Sequence, residues 1–188
     1  MNQLSKNIYN QRCVDWENVR TGVEKYFSIM TQVKNLNVQE SQIFQNNFVS
    51  FYKVRRNQEF RSTLFEYLES KKSSTISFEE TLRYFYNKFR RVEPSFSSKI
   101  IATINPNMPI WDSAVLARLN LNTPCYHLTP EARVQIINNT YDTLVKWYTD
   151  FLSTEEAKIM IYDFNTKIGK VDITDTKKVD FILWQTRP

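Results

Sequence analysis

The chain has 188 residues, 41% of them hydrophobic and 24% charged, an ordinary globular composition at a length that buries roughly 70% of the unfolded surface without staples. Its two glycines, Gly22 and Gly169, allow no phosphate-cradling loop of the G-x-x-x-x-G-K or G-x-G-x-x-G kind, which excludes the nucleotide folds that depend on one. The net charge of +5 favours a polyanionic partner, nucleic acid or anionic lipid.

Cys13, Cys125 and the one histidine, His127, cannot assemble a four-ligand zinc site of the usual spacing. The two cysteines stand far apart and read as buried free thiols, with a structural disulfide as the alternative. The opening MNQLSKNIYNQR lacks the apolar core of a signal peptide. No run approaches the roughly 18 apolar residues of a membrane span, so a cytoplasmic protein is expected.

Helical periodicity runs along the whole chain. Residues 14–31 carry Val19, Val23, Tyr26, Phe27 and Met30 at three- and four-residue steps, one apolar stripe. Residues 41–56 repeat the pattern with Ile43, Phe44, Phe48, Phe51 and Tyr52, and residues 57–70 with Phe60, Leu64, Tyr67 and Leu68. After a polar KKSSTIS connection, Ser77-Phe-Glu-Glu80 has the form of a capping box and starts a helix towards Val92. Pro94 suits the first turn of the next helix, to about Ile104.

Asn105-Pro-Asn-Met-Pro109 cannot be helical, because its prolines remove donors and bias the preceding residues to extended forms. A short helix is expected from Asp112 to about Leu119. Thr129-Pro130 opens a long helix with Val134, Ile137, Tyr141, Leu144, Val145 and Tyr148 on its buried face. Ser153 or Thr154 opens another, which Gly169 stops, and residues 174–185 form the last. With no two-residue alternation, repeat or flexible linker, residues 1–188 are expected to fold as a single all-α domain.

The segment from Arg90 to Arg118 reads as helix, proline-stiffened turn, then an aspartate opening a further helix. An acid at a helix start has its ionised form stabilised by the backbone N–H groups and the dipole. Such a carboxylate can stabilise a cation or steer a water. Asp is also a leading N-cap residue, and capping alone accounts for Asp112 equally well.

The Lys99–Arg118 stretch, with Trp111-Asp112-Ser-Ala-Val115 at its centre, resembles the helix-hairpin-helix DNA glycosylase superfamily. More closely, the string SKIIATINP…PIWDSAVL is similar to small bacterial relatives of that superfamily, some associated with defence against phage. The resemblance implies two helical lobes flanking a groove, double-stranded DNA as partner, a monomer, and no cofactor or metal. The superfamily's catalytic aspartate would be Asp112, stabilising the oxocarbenium-like sugar as the base leaves. Its lysine, a Schiff-base former in bifunctional members, would correspond to Lys99, at a shorter separation from the aspartate. In place of the family's glycine hairpin stands Glu93-Pro-Ser-Phe-Ser-Ser98, where Ser97 and Ser98 offer N–H and hydroxyl donors to phosphate.

Around this centre, Lys53, Arg55, Arg56, Arg90, Arg91 and Arg118 are candidate phosphate contacts, and Trp111, Tyr52 and Tyr84 candidate walls of a base pocket. Aromatic stripes and solvated cations on amphipathic helices give the same pattern with no ligand at all. Three functions therefore stand open. One is a monofunctional glycosylase acting on damaged or hypermodified phage bases. The others are a non-catalytic helical DNA-binding or protein-interaction module, and a helical regulatory protein in which Asp112 only caps.

Overall fold

A computed structural model describes residues 9, 13–121, 123 and 127–185. Among them the chain is all-helical, with no strand: α1 Trp16–Asn35, α2 Gln42–Tyr52, α3 Gln58–Lys71, α4 Phe78–Phe89, α5 Pro94–Ile104, α6 Ser113–Arg118, α7 Pro130–Leu152, α8 Glu155–Ile168 and α9 Asp175–Gln185. No helix of the described residues is long and apolar enough to cross a membrane.

The helices begin where the sequence supplies side-chain acceptors. Asp15, Ser41, Asn57, Ser77, Thr129 and Thr154 each take a hydrogen bond from a backbone N–H in the first turn they precede. Each such cap is worth about 1 kcal/mol. Only half of the expected capping box forms, since Ser77 Oγ accepts from Glu80 N while the Glu80 carboxylate pairs with Lys71. Two helices end earlier than periodicity suggests. Lys53 closes α2 and Arg90 closes α4, both in the left-handed conformation (φ 53° each), so the chain turns before Arg56 and Val92. Glycine is the residue that usually marks such an ending, and neither position carries one.

The buried side chains fall into two contiguous groups. One joins the first half of α1 to α6, α7, α8 and α9, with Val19, Val23, Leu144, Met160 and Ile182 at its centre. The other is aromatic and joins α2, α3, α4 and α5, with Phe44, Phe48, Leu64, Phe85 and Ile100. Phe51, Ile76 and Trp184 pack against both. Each fully buried large side chain contributes roughly 1.5–3 kcal/mol by leaving water. Gly22 marks the close approach of α1 to α9, where an added Cβ would stand 3.0 Å from Phe181 Cε1. Cys13 is exposed rather than buried, because it precedes α1 outside its apolar stripe, and Cys125 lies outside the described residues.

The core also holds charge. Lys177 and Asp180, one turn apart on α9, are both fully buried and paired at 2.7 Å. The Tyr148 hydroxyl of α7 donates to the same carboxylate. Lys177 Nζ further lies 5.5 Å from the ring centres of Tyr26 on α1 and Trp184 on α9. A buried pair of this kind is punishing when one partner is lost, since the other is left charged without water. Asp180→Leu is expected to remove about 3–5 kcal/mol from the urea unfolding free energy. The double variant Lys177→Met/Asp180→Leu is expected to recover most of that loss. Equal losses in the two variants would show that the pair is not the source of the effect.

Candidate functional site

The turn between α5 and α6 is pinned from three sides. Asn105 Oδ1 accepts from Asn107 N, and Met108 N donates to Asn105 O. The hydroxyls of Thr174 and Tyr141 donate to the carbonyls of Pro106 and Pro109, each at 2.8 Å. Ser98 closes the loop: its Oγ donates to Ser95 O and accepts from Trp111 N at 2.9 Å. The extended residues before α6 are thus tied to the middle of α5, and the charge of Asp112, 13 positions on in sequence, acts on the Lys99 amine.

Asp112 is the N-cap of α6, in extended backbone, with Oδ1 accepting from Ala114 N and Val115 N. Its charge acts on Lys99, Tyr148 and Asp180. Lys99 is half-buried. Its Nζ donates to Tyr52 O at 2.9 Å and lies 5.1 Å from the Phe96 ring centre. Burial pushes the Lys99 amine down to about 8, with Asp112 opposing the shift. Burial likewise raises the Asp180 carboxyl against the pull of Lys177, and raises the Tyr148 phenol further beside Asp180.

Beside this pair lies an arginine-lined surface. One cleft of about 590 Å³ is bounded by Arg56, Arg90, Arg91, Glu93, Trp111, Ser113, Arg133 and others. A second, of about 600 Å³, is bounded by Arg55, Arg56, Phe60, Phe89, Arg91 and Glu93. Arg56, Arg91 and Glu93 belong to both, so the two are neighbours across that wall. Trp111 and Ser113 line the first cleft while Asp112 between them does not, as alternation along extended backbone dictates.

Of the residues singled out in the sequence, Lys53, Arg55, Arg90 and Arg91 are exposed, and the last three line the clefts. Arg56 is committed to Glu93, donating from Nη2 to both carboxylate oxygens at 2.7 and 2.9 Å, with its guanidinium near the Phe60 and Phe96 rings. Arg118 sits in the last turn of α6.

Others fall elsewhere. Ser97 and Ser98, expected at phosphate, are fully buried, and their hydroxyls bond to Glu93 O and Ser95 O. They build the turn instead of facing a ligand. Tyr52 is buried, its hydroxyl against Thr103, and it offers the site only its carbonyl. Tyr84 stacks on Tyr67 with ring centres 4.1 Å apart. Trp111 is mostly buried against Phe78 and shows only a margin to the cleft.

The sequence reading missed Lys177, Asp180 and Arg133. The first two look like a solvent pair on a helix. The signal was their neighbourhood, since Val179, Phe181, Ile182 and Leu183 surround them with apolar positions while Asp175 and Lys178 form the outward pair of α9. Among the described residues no group of three or more His, Cys, Asp or Glu side chains is placed to hold a metal ion.

No protein-family model, curated protein or solved structure matches the chain.

Two outcomes follow from the geometry. Labelling of Lys99 by an amine-reactive reagent, mapped by mass spectrometry, is expected to titrate with a midpoint near 8, against about 10.4 for an ordinary lysine. A midpoint above 10 would contradict the burial argument. The folded value lies below the unfolded one, so the unfolded chain binds more protons in this window. The Lys99 contribution to stability therefore rises from about pH 8 towards 10.4. Separately, Arg90→Gly removes a side chain from left-handed backbone and is expected to raise stability by about 1 kcal/mol in thermal unfolding.

Proposed function

We propose that the chain is a DNA N-glycosylase of the helix-hairpin-helix type. It would extrude one base from duplex DNA and hydrolyse its N-glycosidic bond. The observation that carries this reading is the convergence of Asp112 and Lys99 beside an arginine-lined cleft whose wall includes both neighbours of the aspartate. In this reading Lys53, Arg55, Arg90 and Arg91 meet phosphates, and the two core groups correspond to two lobes flanking a DNA groove. The phosphate role assigned to a glycine hairpin in the superfamily passes to these cations, because Ser97 and Ser98 are internal.

The chemistry assigns one task to each group. As the bond from C1′ to the base nitrogen breaks, its electron pair leaves with the base and positive charge grows on the sugar. A carboxylate at Asp112 stabilises that charge, and water attacks C1′. Lys99, with its amine held low by burial, is suited to attack the sugar itself and give a Schiff base, provided it leaves the Tyr52 carbonyl. Hydrolysis by water needs no such movement, and it is the step proposed here. No cofactor enters it. Damaged bases and the hypermodified bases of phage DNA are both within its scope, the latter making the protein an antiviral one.

A second reading, a non-catalytic helical DNA-binding module, is favoured by one specific observation. Asp112 Oδ1 already accepts two backbone hydrogen bonds, and the residue does not line the cleft.

Asp112→Asn separates the two, because asparagine caps a helix as well as aspartate does but carries no charge. Free base released from DNA rich in modified bases, and alkali-labile sites left behind, are expected to fall by about 100-fold or more, with thermal stability and DNA retention kept. Undiminished release would move the chemistry away from Asp112. Retention of DNA by the wild type without any release would favour the binding module. In either case Arg90→Gly is expected to lower the slope of log affinity against log salt by about 1.

A further inference from the structure

The arginine-lined surface contains one acid whose position is not explained by phosphate binding. Glu93 stands at the N-cap of α5, yet its side chain makes no capping bond. Its main-chain carbonyl accepts from Ser97 N and Ser97 Oγ, while its carboxylate pairs with Arg56, and both residues belong to the wall shared by the two clefts. The residue is only 7% exposed. Among the described residues its carboxylate has a single side-chain donor, Arg56 Nη2, bonded to both oxygens. A carboxylate offers about four acceptor positions, so one on each oxygen remains for a further donor.

On a surface that takes phosphate, a carboxylate works against the backbone and in favour of a hydrogen-bond donor. The cleft beside it, about 590 Å³, falls within the roughly 300–1,000 Å³ of small-molecule sites. Pro94, with the margins of Trp111 and Ile137, gives it an apolar side.

We infer that Glu93 reads the edge of an unpaired base in this cleft and selects bases that present an exocyclic amine, as cytosine and adenine do. A carboxylate accepts from such an amine, and a well-placed contact discriminates roughly 5- to 100-fold between bases. Thymine and uracil turn a carbonyl oxygen to the same place, where acceptor meets acceptor. This inference rests on the reading of the cleft as a nucleic-acid surface, and it requires base recognition without requiring base release. The bland alternative is that the pair with Arg56 only ties the segment after α2 to α5. That role has no reason to distinguish one base from another.

The test uses the full chain and short duplexes that carry one bulged nucleotide, C, A or T, with affinity measured by fluorescence anisotropy. The wild type is expected to bind the C and A bulges roughly 5- to 100-fold more tightly than the T bulge. Glu93→Gln keeps the shape, adds a donor, and is expected to erase or invert that order. Equal wild-type affinity for the three bulges would overturn the inference, as would a uniform loss for all three in Glu93→Gln. If that variant does not fold, the wild-type ranking alone decides. A ranking that holds while no base is ever released would sink the glycosylase reading and leave this one standing. Base release without any ranking would do the reverse.

Discussion

Lys177 and Asp180 form a charge pair without access to water, and much of the molecule is arranged around them. The pair needs a third partner, and Tyr148 supplies it from α7. It needs aromatic faces around the ammonium, and Tyr26 and Trp184 supply those from α1 and α9. Three helices distant in sequence are thereby committed to one arrangement, because misplacing any of them strands a charge in the apolar interior. The close approach of α1 to α9 at Gly22 joins two of the same helices.

The same centre reaches the turn between α5 and α6. Asp112 acts on Asp180, Tyr148 and Lys99, so the turn is linked electrostatically to the buried pair on α9. Charges concentrated in this way occur both at functional sites and in structural ion-pair networks. They also explain why the turn is so heavily pinned. An ionisable group keeps a shifted pKa only while its distance to water and to its neighbours stays constant, and the Thr174, Tyr141 and Ser98 hydroxyls hold those distances.

Much of this fold is written in local chemistry. The caps at Ser77, Thr129 and Thr154, the prolines at positions 94 and 130, and the stop at Gly169 give most helix limits to within a residue or two. The limits that escape sequence reasoning are the end of α1, which runs on to Asn35 rather than stopping at 31, and those at Lys53 and Arg90, where a cation in left-handed backbone carries no turn signal. The site is only partly legible. Asp112 as a cap and the exposed arginines follow from residue type and pattern. The inward placement of Ser97 and Ser98, and the pairing of Arg56 with Glu93, depend on which face of α5 meets its neighbours. That is a tertiary fact, and no periodicity encodes it.

Position 98 shows how narrow such a tertiary demand becomes. The side chain there gives one hydrogen bond and receives another, in a space with no exposure. Alanine would do neither, and cysteine is a weak partner in both roles. Threonine would bring a methyl group into filled volume. Among related chains that keep this turn, serine should be nearly invariant here, even though its hydroxyl bonds only to the backbone of the turn and of α5.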